Sequence, residues 1–284
     1  MAKFIALVDG SIYSRSVCDH AAWAASRAGA QVELLHVLGR RETQSAPANL
    51  SGNITLGART ALLEELSALD AQRAKLAQKR GRAILEDAKA AIEAGGVEDV
   101  ATRLRTGDIV ETVASFEAEA DMIVIGKRGE AADFAKLHLG SNLERVVRTS
   151  TRPIFVASRA FKSIESFAIA YDGGTSSMKA VDHIARSPIF AGLRCCLLTV
   201  GADSGETRKR LADAQAMLEA GGFAVQAEIL PGQPETVISQ FVENQGIGLL
   251  VMGAYGHSRI RHLVIGSTTT EMVRSCKIPV VLFR

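Results

Sequence analysis

The sequence predicts an α/β architecture: two tandem doubly wound, Rossmann-like domains, each with a five-stranded parallel sheet. Three observations predict it. Apolar runs of strand length alternate with amphipathic helix-length segments along the 284 residues, as in strands joined by helical crossovers. Runs such as Ile123 to Ile125 and Leu249 to Met252 show no in/out alternation, which fits strands covered by helices on both faces. The second half of the chain also repeats the first, so the organisation is a duplication.

The first strand ends at Ala6-Leu-Val-Asp9-Gly10, answered by Ile169-Ala-Tyr-Asp172-Gly173. Each aspartate is followed 28 positions later by a valine that closes a second strand, Val37 and Val200. Asp9 to Gly126 then spans 117 positions against 81 for Asp172 to Gly253, so the first half carries an insertion of 36 residues. This insertion, at about 40–78, opens on the polar, turn-rich piece Arg40 to Gly57. It continues as a helix from Ala58 with Leu62, Leu63, Leu66, Leu69 and Leu76 on or near one face. Packing on its own domain and service as a lid or partner surface are both open for that helix.

After the insertion, Gly107 with Glu111-Thr-Val113 answers to Gly232 with Glu235-Thr-Val237. Met122 to Ile125 is a strand running into Gly126-Lys-Arg-Gly129, and ten residues later Gly140-Ser141-Asn142 opens a helix that stops before Pro153 and a strand to Val156. The C-terminal copy reads Gly253-Ala-Tyr-Gly256, nine residues, Gly266-Ser267-Thr268, then Pro279 and a closing strand. In both copies the proline follows the Gly-Ser glycine by thirteen positions. Period and punctuation place the second half's strands near 166–171, 194–200, 224–230, 248–253 and 279–283, and its helices near 175–186, 205–220, 234–244 and 267–276. The boundary falls near Ser158 to Ser166, giving domains 1–160 and 161–284.

A strand that ends in spaced glycines and delivers a Gly-Ser-Thr step to a helix start is how a backbone wraps phosphates. Glycine allows close approach of main-chain N–H groups, and the helix N-terminus adds unpaired donors and a positive dipole end. Asp9, Val37 and Gly126 fall at strand ends on one edge, and Asp172, Val200 and Gly253 do the same, where ligands bind in open α/β sheets.

Composition excludes several classes. The net charge of +2 is small and the charges are interspersed, which argues against nucleic acid. No apolar run reaches membrane-spanning length, and Met1-Ala-Lys-Phe-Ile enters a strand directly, so a cytoplasmic protein without membrane contact is expected. Cys18, Cys195, Cys196 and Cys276 lack metal or redox spacing and read as small buried hydrophobes. His20, His36 and His183 read as structural, and Trp23 as core. Ser11, Ser14, Ser16, Thr175, Ser176 and Ser177 suit helix caps.

With these residues in view, the chain resembles the universal stress protein family in its tandem two-domain form. The family's ATP-binding pattern, Gly-x2-Gly-x9-Gly-Ser/Thr, is matched by Gly253, Gly256, Gly266 and Ser267, and the first-strand aspartates and Pro-led closing strands agree. The resemblance implies an adenine nucleotide α-hydrolase-like fold with halves related by a pseudo-two-fold axis, and ATP as ligand with Mg²⁺ as a candidate companion. Asp172 would accept from the adenine or ribose region, Val200 would contact adenine, and Met252 would wall the pocket. Gly253 and Gly256 would pass close to ribose and phosphates, while Gly266, Ser267 and Thr268 would donate to phosphate oxygens. His257, Arg259, Arg261 and His262 of the intervening loop either neutralise phosphate charge or stay solvated.

A second nucleotide site would comprise Asp9, Val37, Ile125, Gly126, Gly129, Gly140, Ser141 and Asn142. Its glycine loop is one residue longer and carries Glu130 and Asp133 besides Lys127, Arg128, Lys136 and His138, so it is the less favourable site for a triphosphate. The implied function is a regulatory stress-response protein that holds ATP and presents a nucleotide-dependent surface to a partner. A slow ATPase or self-phosphorylating enzyme and a nucleotide-free dimeric scaffold are the alternatives. No Walker A loop, His-x-Gly-His or paired carboxylates with an obvious base are present, so no catalytic residue and no protein metal ligand is assigned. Single-domain relatives pair through their last strands; here Ile154 to Ser158 and Ile278 to Arg284 are expected to pair within the chain, and two chains to associate as a homodimer.

Overall fold

A computed structural model of the chain describes residues 2–39, 56–127, 141–254 and 266–284. The first half runs β1 (Lys3–Leu7), α1 (Ser14–Ala28), β2 (Gln31–Leu38), α2 (Leu56–Ala94), β3 (Val100–Thr106), α3 (Ile109–Phe116), β4 (Met122–Gly126), α4 (Ser141–Thr149) and β5 (Ile154–Ala157). The second runs β6 (Ser166–Ala170), α5 (Thr175–Arg186), β7 (Arg194–Val200), α6 (Gly205–Ala220), β8 (Val225–Leu230), α7 (Pro234–Asn244), β9 (Leu249–Gly253), α8 (Ser267–Ser275) and β10 (Val280–Phe283). The second-half elements lie within a residue or so of the sequence-based expectation. In the first half, β2 extends one residue beyond Val37.

Within each half the strands are parallel, in the orders 3-2-1-4-5 and 8-7-6-9-10. The two sheets join through β5 and β10, which pair antiparallel with Val156 opposite Val280, Phe155 opposite Val281 and Ile154 opposite Leu282. The expected pairing of the last strands is therefore present, and it fuses the halves into one ten-stranded sheet.

The missing alternation in the strands has a direct cause. Phe4 and Ala6 of β1 face one core with α1, α5, α6 and the C-terminal part of α2. Ile5 and Leu7 face a second core with α3, α4, α7 and α8. Both faces of every central strand are thus removed from water, at about 1.5–3 kcal/mol per large apolar side chain.

Helix α2 behaves differently along its length. Leu85, Ala88 and Ile92 are buried against the sheet, whereas Leu62, Leu63, Leu69 and Leu76 are exposed and Leu66 is half-buried. Of the two readings of this helix, packing of the leucine face on its own domain is corrected. Those leucines lie more than two turns before the first buried leucine, Leu85.

Other polar and aromatic groups hold structural posts. His20 is buried between Phe155 and Phe161, with Nδ1 bonded to the Ser16 carbonyl, and burial lowers its pKa. His36 donates to the Val8 carbonyl, and His183 lies against Phe283. Trp23 is only partly buried, beneath Arg27, and not in the core proper. Cys18, Cys195 and Cys196 are buried; Cys276 is half-exposed. Buried Glu33 is held by Lys3 and Arg103, which compensates a charge otherwise costly to bury. Among the described residues no helix is long and apolar enough to cross a membrane.

Lys127 follows β4 immediately and crosses to the other half. Its Nζ donates to the carbonyls of Cys276 and Ile278, in the turn between α8 and β10. Burial pushes its pKa from 10.5 down to about 8. A lowered amine sheds its proton in the folded state first, so the unfolded chain binds more protons between those values and stability rises with pH there. Relative to a Lys127→Met variant, wild-type stability in urea denaturation should rise between pH 8 and 10.5, by up to about 3 kcal/mol. Parallel pH profiles for the two proteins would contradict this.

Candidate functional site

The strand order creates a crevice before any side chain is considered. In each half the order reverses direction between the first and fourth strands, β1 and β4 or β6 and β9, and loops leave the sheet to opposite sides there. Register then brings the expected residues level. Ala170 pairs with Leu198 and with Met252, so Asp172, Val200 and Gly253 gather at the carboxyl edge. Leu7 pairs with Leu35 and Ala6 with Val124, which gathers Asp9, Val37, Ile125 and Gly126 in the same way.

The first-strand aspartates adopt one arrangement twice. Asp172 Oδ1 accepts from the Gly174 N–H at 2.8 Å and the Ser177 hydroxyl at 2.6 Å. Asp9 Oδ1 accepts from the Ser11 N–H at 3.0 Å and the Ser14 hydroxyl at 3.2 Å. The expected serine caps are corrected accordingly: Tyr13 and Gly174 occupy the N-cap positions, and the serines serve the aspartates from the first turn. The strand end beyond is tied in parallel fashion, Thr199 Oγ1 to the Tyr171 carbonyl and His36 Nδ1 to the Val8 carbonyl, each across 28 positions.

The glycine stem follows in the C-terminal half. A Cβ on Gly253 would lie 2.9 Å from Ser176 Cβ and 3.3 Å from the Ser177 nitrogen, so β9 passes the start of α5 at a distance that only glycine permits. The Thr269 hydroxyl donates to the Gly253 carbonyl, and the Gly266 N–H donates to the Ala254 carbonyl at 3.2 Å. These bonds close the loop at its base and aim the start of α8 at the crevice. Gly266 is the N-cap and supplies no side-chain cap, so the leading N–H groups of α8 form a donor set with the positive dipole end behind it.

Thr268 departs from its expected role. Its hydroxyl donates to Glu235 Oε1 of α7 at 2.7 Å, and that bond holds the Glu235 carboxyl below its ordinary pKa. Sequence reasoning used Glu235 only as a repeat marker. An acid after Pro234 in a helix's first turn was visible, but its meeting with a threonine 33 positions away was not.

The N-terminal copy shares the strand-end geometry and differs around it. Ile84 of α2 lies against Gly10, whereas Arg210 of α6 lies against the equivalent Gly173. Lys127 is spent on the other half's carbonyls and is not a loop cation. Asn142 is exposed in the first turn of α4, and Asp108 is paired with Arg145 of the same helix. Gly129, Gly140, Gly256, His257 and Arg259 lie outside the described residues, as do Arg128, Glu130, Asp133, Lys136, His138, Arg261 and His262.

The sequence pattern of the universal stress protein family matches residues 1–158 and 197–284. The chain belongs to the universal stress protein family. Universal stress protein Slr1230 of Synechocystis is 37% identical over 287 residues, covering 100% of both chains. A universal stress protein of Mycolicibacterium smegmatis is 24% identical over 204 residues, 65% of this chain and 69% of that one. Among solved structures, a universal stress protein from Archaeoglobus fulgidus superposes with a TM-score of 0.74 at 19% identity, covering 99% of this chain and 98% of the other; it shares the fold. The family pattern skips β6 and α5, where Asp172 lies. This tandem universal stress protein nevertheless repeats the Asp9 arrangement there.

The close approach at Gly253 is testable. Gly253→Ala should destabilise the protein by about 1–3 kcal/mol through overpacking against Ser176. Adding Ser176→Gly should recover most of that loss in thermal unfolding, whereas additive losses would show that the contact is not the cause.

Proposed function

We propose that the C-terminal half binds ATP and that occupancy sets the surface offered to a regulatory partner in a cytoplasmic stress response. The observation that carries this reading is the start of α8: a glycine N-cap without a side-chain cap, tied to the β9 stem and facing the crevice beside Asp172 and Val200. Ser267 and the backbone of Thr268 and Thr269 would serve the phosphates, and Met252, Gly253 and Val200 the base and ribose. Arg210, ion-paired with Glu206, lies beside Gly173 at the same edge. Mg²⁺ would accompany the nucleotide, since Glu235 stands beside the first turn of α8 and a bare triphosphate next to a carboxylate is unfavourable. The residues at the N-terminal crevice form a second, subordinate nucleotide site, which lacks the Lys127 cation.

The Thr268 to Glu235 bond favours a second reading, slow self-phosphorylation. Thr268 Oγ1 would attack the γ-phosphorus, the bond to the β,γ-bridging oxygen would break to release ADP, and Glu235 would take the hydroxyl proton.

Gly266→Asp separates binding from folding. Its backbone, at φ −55° and ψ 142°, admits any residue, and aspartate is a good N-cap, so the thermal midpoint should hold or rise. Its charge sits where phosphate would bind, so ATP affinity by equilibrium dialysis with Mg²⁺ should fall at least ~10-fold. Unchanged affinity, or a wild-type protein that stays empty at millimolar ATP, contradicts the proposal. Incorporation of γ-phosphate that Thr268→Val abolishes would support the second reading; absence of incorporation would leave binding alone.

A further inference from the structure

The described residues expose few large apolar side chains, and they cluster. Leu62, Leu69 and Leu76 are 37%, 51% and 65% exposed, Leu63 lies beside them, and only Ile12 is found elsewhere. The first three recur every seven residues, with half-buried Leu66 completing a stripe. At about 100° per residue, this stripe is turned roughly a quarter circle or more from the buried face through Gly81, Leu85, Ala88 and Ile92. Contacts with the protein's own sheet therefore leave it open, and a seven-residue apolar repeat on a helix is the pattern of a helix–helix seam.

Charge along the same segment is segregated. From Thr60 to Ala71 the chain carries Glu64, Glu65 and Asp70 and no lysine or arginine. From Gln72 to Arg82 it carries Arg73, Lys75, Lys79, Arg80 and Arg82 and no acid. We propose that a second copy of this chain covers the stripe, with its α2 antiparallel to the first. Parallel pairing sets acidic against acidic and basic against basic, whereas antiparallel pairing sets each acidic half on the partner's basic half. It also places the two sheets at opposite ends of the seam, clear of each other. In the register that packs Leu66 on the partner's Leu76, Glu65 faces the partner's Lys79. Arg73 and Arg80 lie in the stripe as well, where their apolar stems extend it. The homodimer expected from the sequence thus has a surface that is independent of both the β5–β10 joint and nucleotide.

Sedimentation equilibrium of the full chain tests this. Wild type at micromolar concentration should show about twice the 30.2 kDa chain mass. Leu69→Ser with Leu76→Ser should give the monomer mass with an unchanged far-ultraviolet circular dichroism spectrum at 25 °C, because these side chains touch solvent in the single chain. Glu65→Lys and Lys79→Glu should each weaken association about tenfold, and together restore it, because the swapped charges meet again only across an antiparallel seam. A monomeric wild type at 100 µM, a leucine variant that stays dimeric, or a double charge swap that fails to recover would each overturn the proposal.

Discussion

The antiparallel joint between β5 and β10 is the constraint on which the rest depends. A five-stranded parallel sheet ends in a strand whose outer N–H and C=O groups are unpaired, an invitation to aggregation. Here two such edges satisfy each other, with Ile154, Phe155, Val156, Val280, Val281 and Leu282 all buried. Lys127 and Arg284 reinforce the joint from either end. Lys127 donates to carbonyls after α8, and Arg284 donates to the Arg148 and Thr149 carbonyls at the end of α4. Because the joint is antiparallel, the carboxyl edges of the two halves point in opposite directions, and so do the two crevices. The sites do not share a mouth.

Duplication supplied two copies of one crevice, and packing made them unequal. The aspartate turns are alike to the spacing of their partners. What differs is the neighbourhood: an isoleucine from the C-terminal part of α2 over one turn and an arginine of α6 over the other, and a lysine at the start of the N-terminal loop bonded across to the other half. The N-terminal copy thereby keeps one amine fewer at its glycine loop, because Lys127 Nζ is bonded to the Cys276 and Ile278 carbonyls. Among the described residues, the part of α2 that falls in the insertion exposes four large apolar side chains, Leu62, Leu63, Leu69 and Leu76.

Much of this was legible in the chain itself. Apolar runs without alternation, the interval of 28 between Asp and Val and the Gly-Ser-to-Pro interval of thirteen are local or periodic signals. They determined the strands, the doubling and the edge at which Asp172, Val200 and Gly253 meet, while the order of the strands in the sheet came from the tertiary structure. The leucine stripe was visible too, but its direction was not, since periodicity says that a helix has an apolar face and not what covers it. Tertiary structure alone decided three further things: that Thr268 meets Glu235, that Lys127 serves the joint instead of a phosphate, and that Leu62, Leu69 and Leu76 face water. Each depends on which groups are brought together from more than thirty positions away, or on the absence of such a neighbour. No pattern in one stretch of sequence records that geometry.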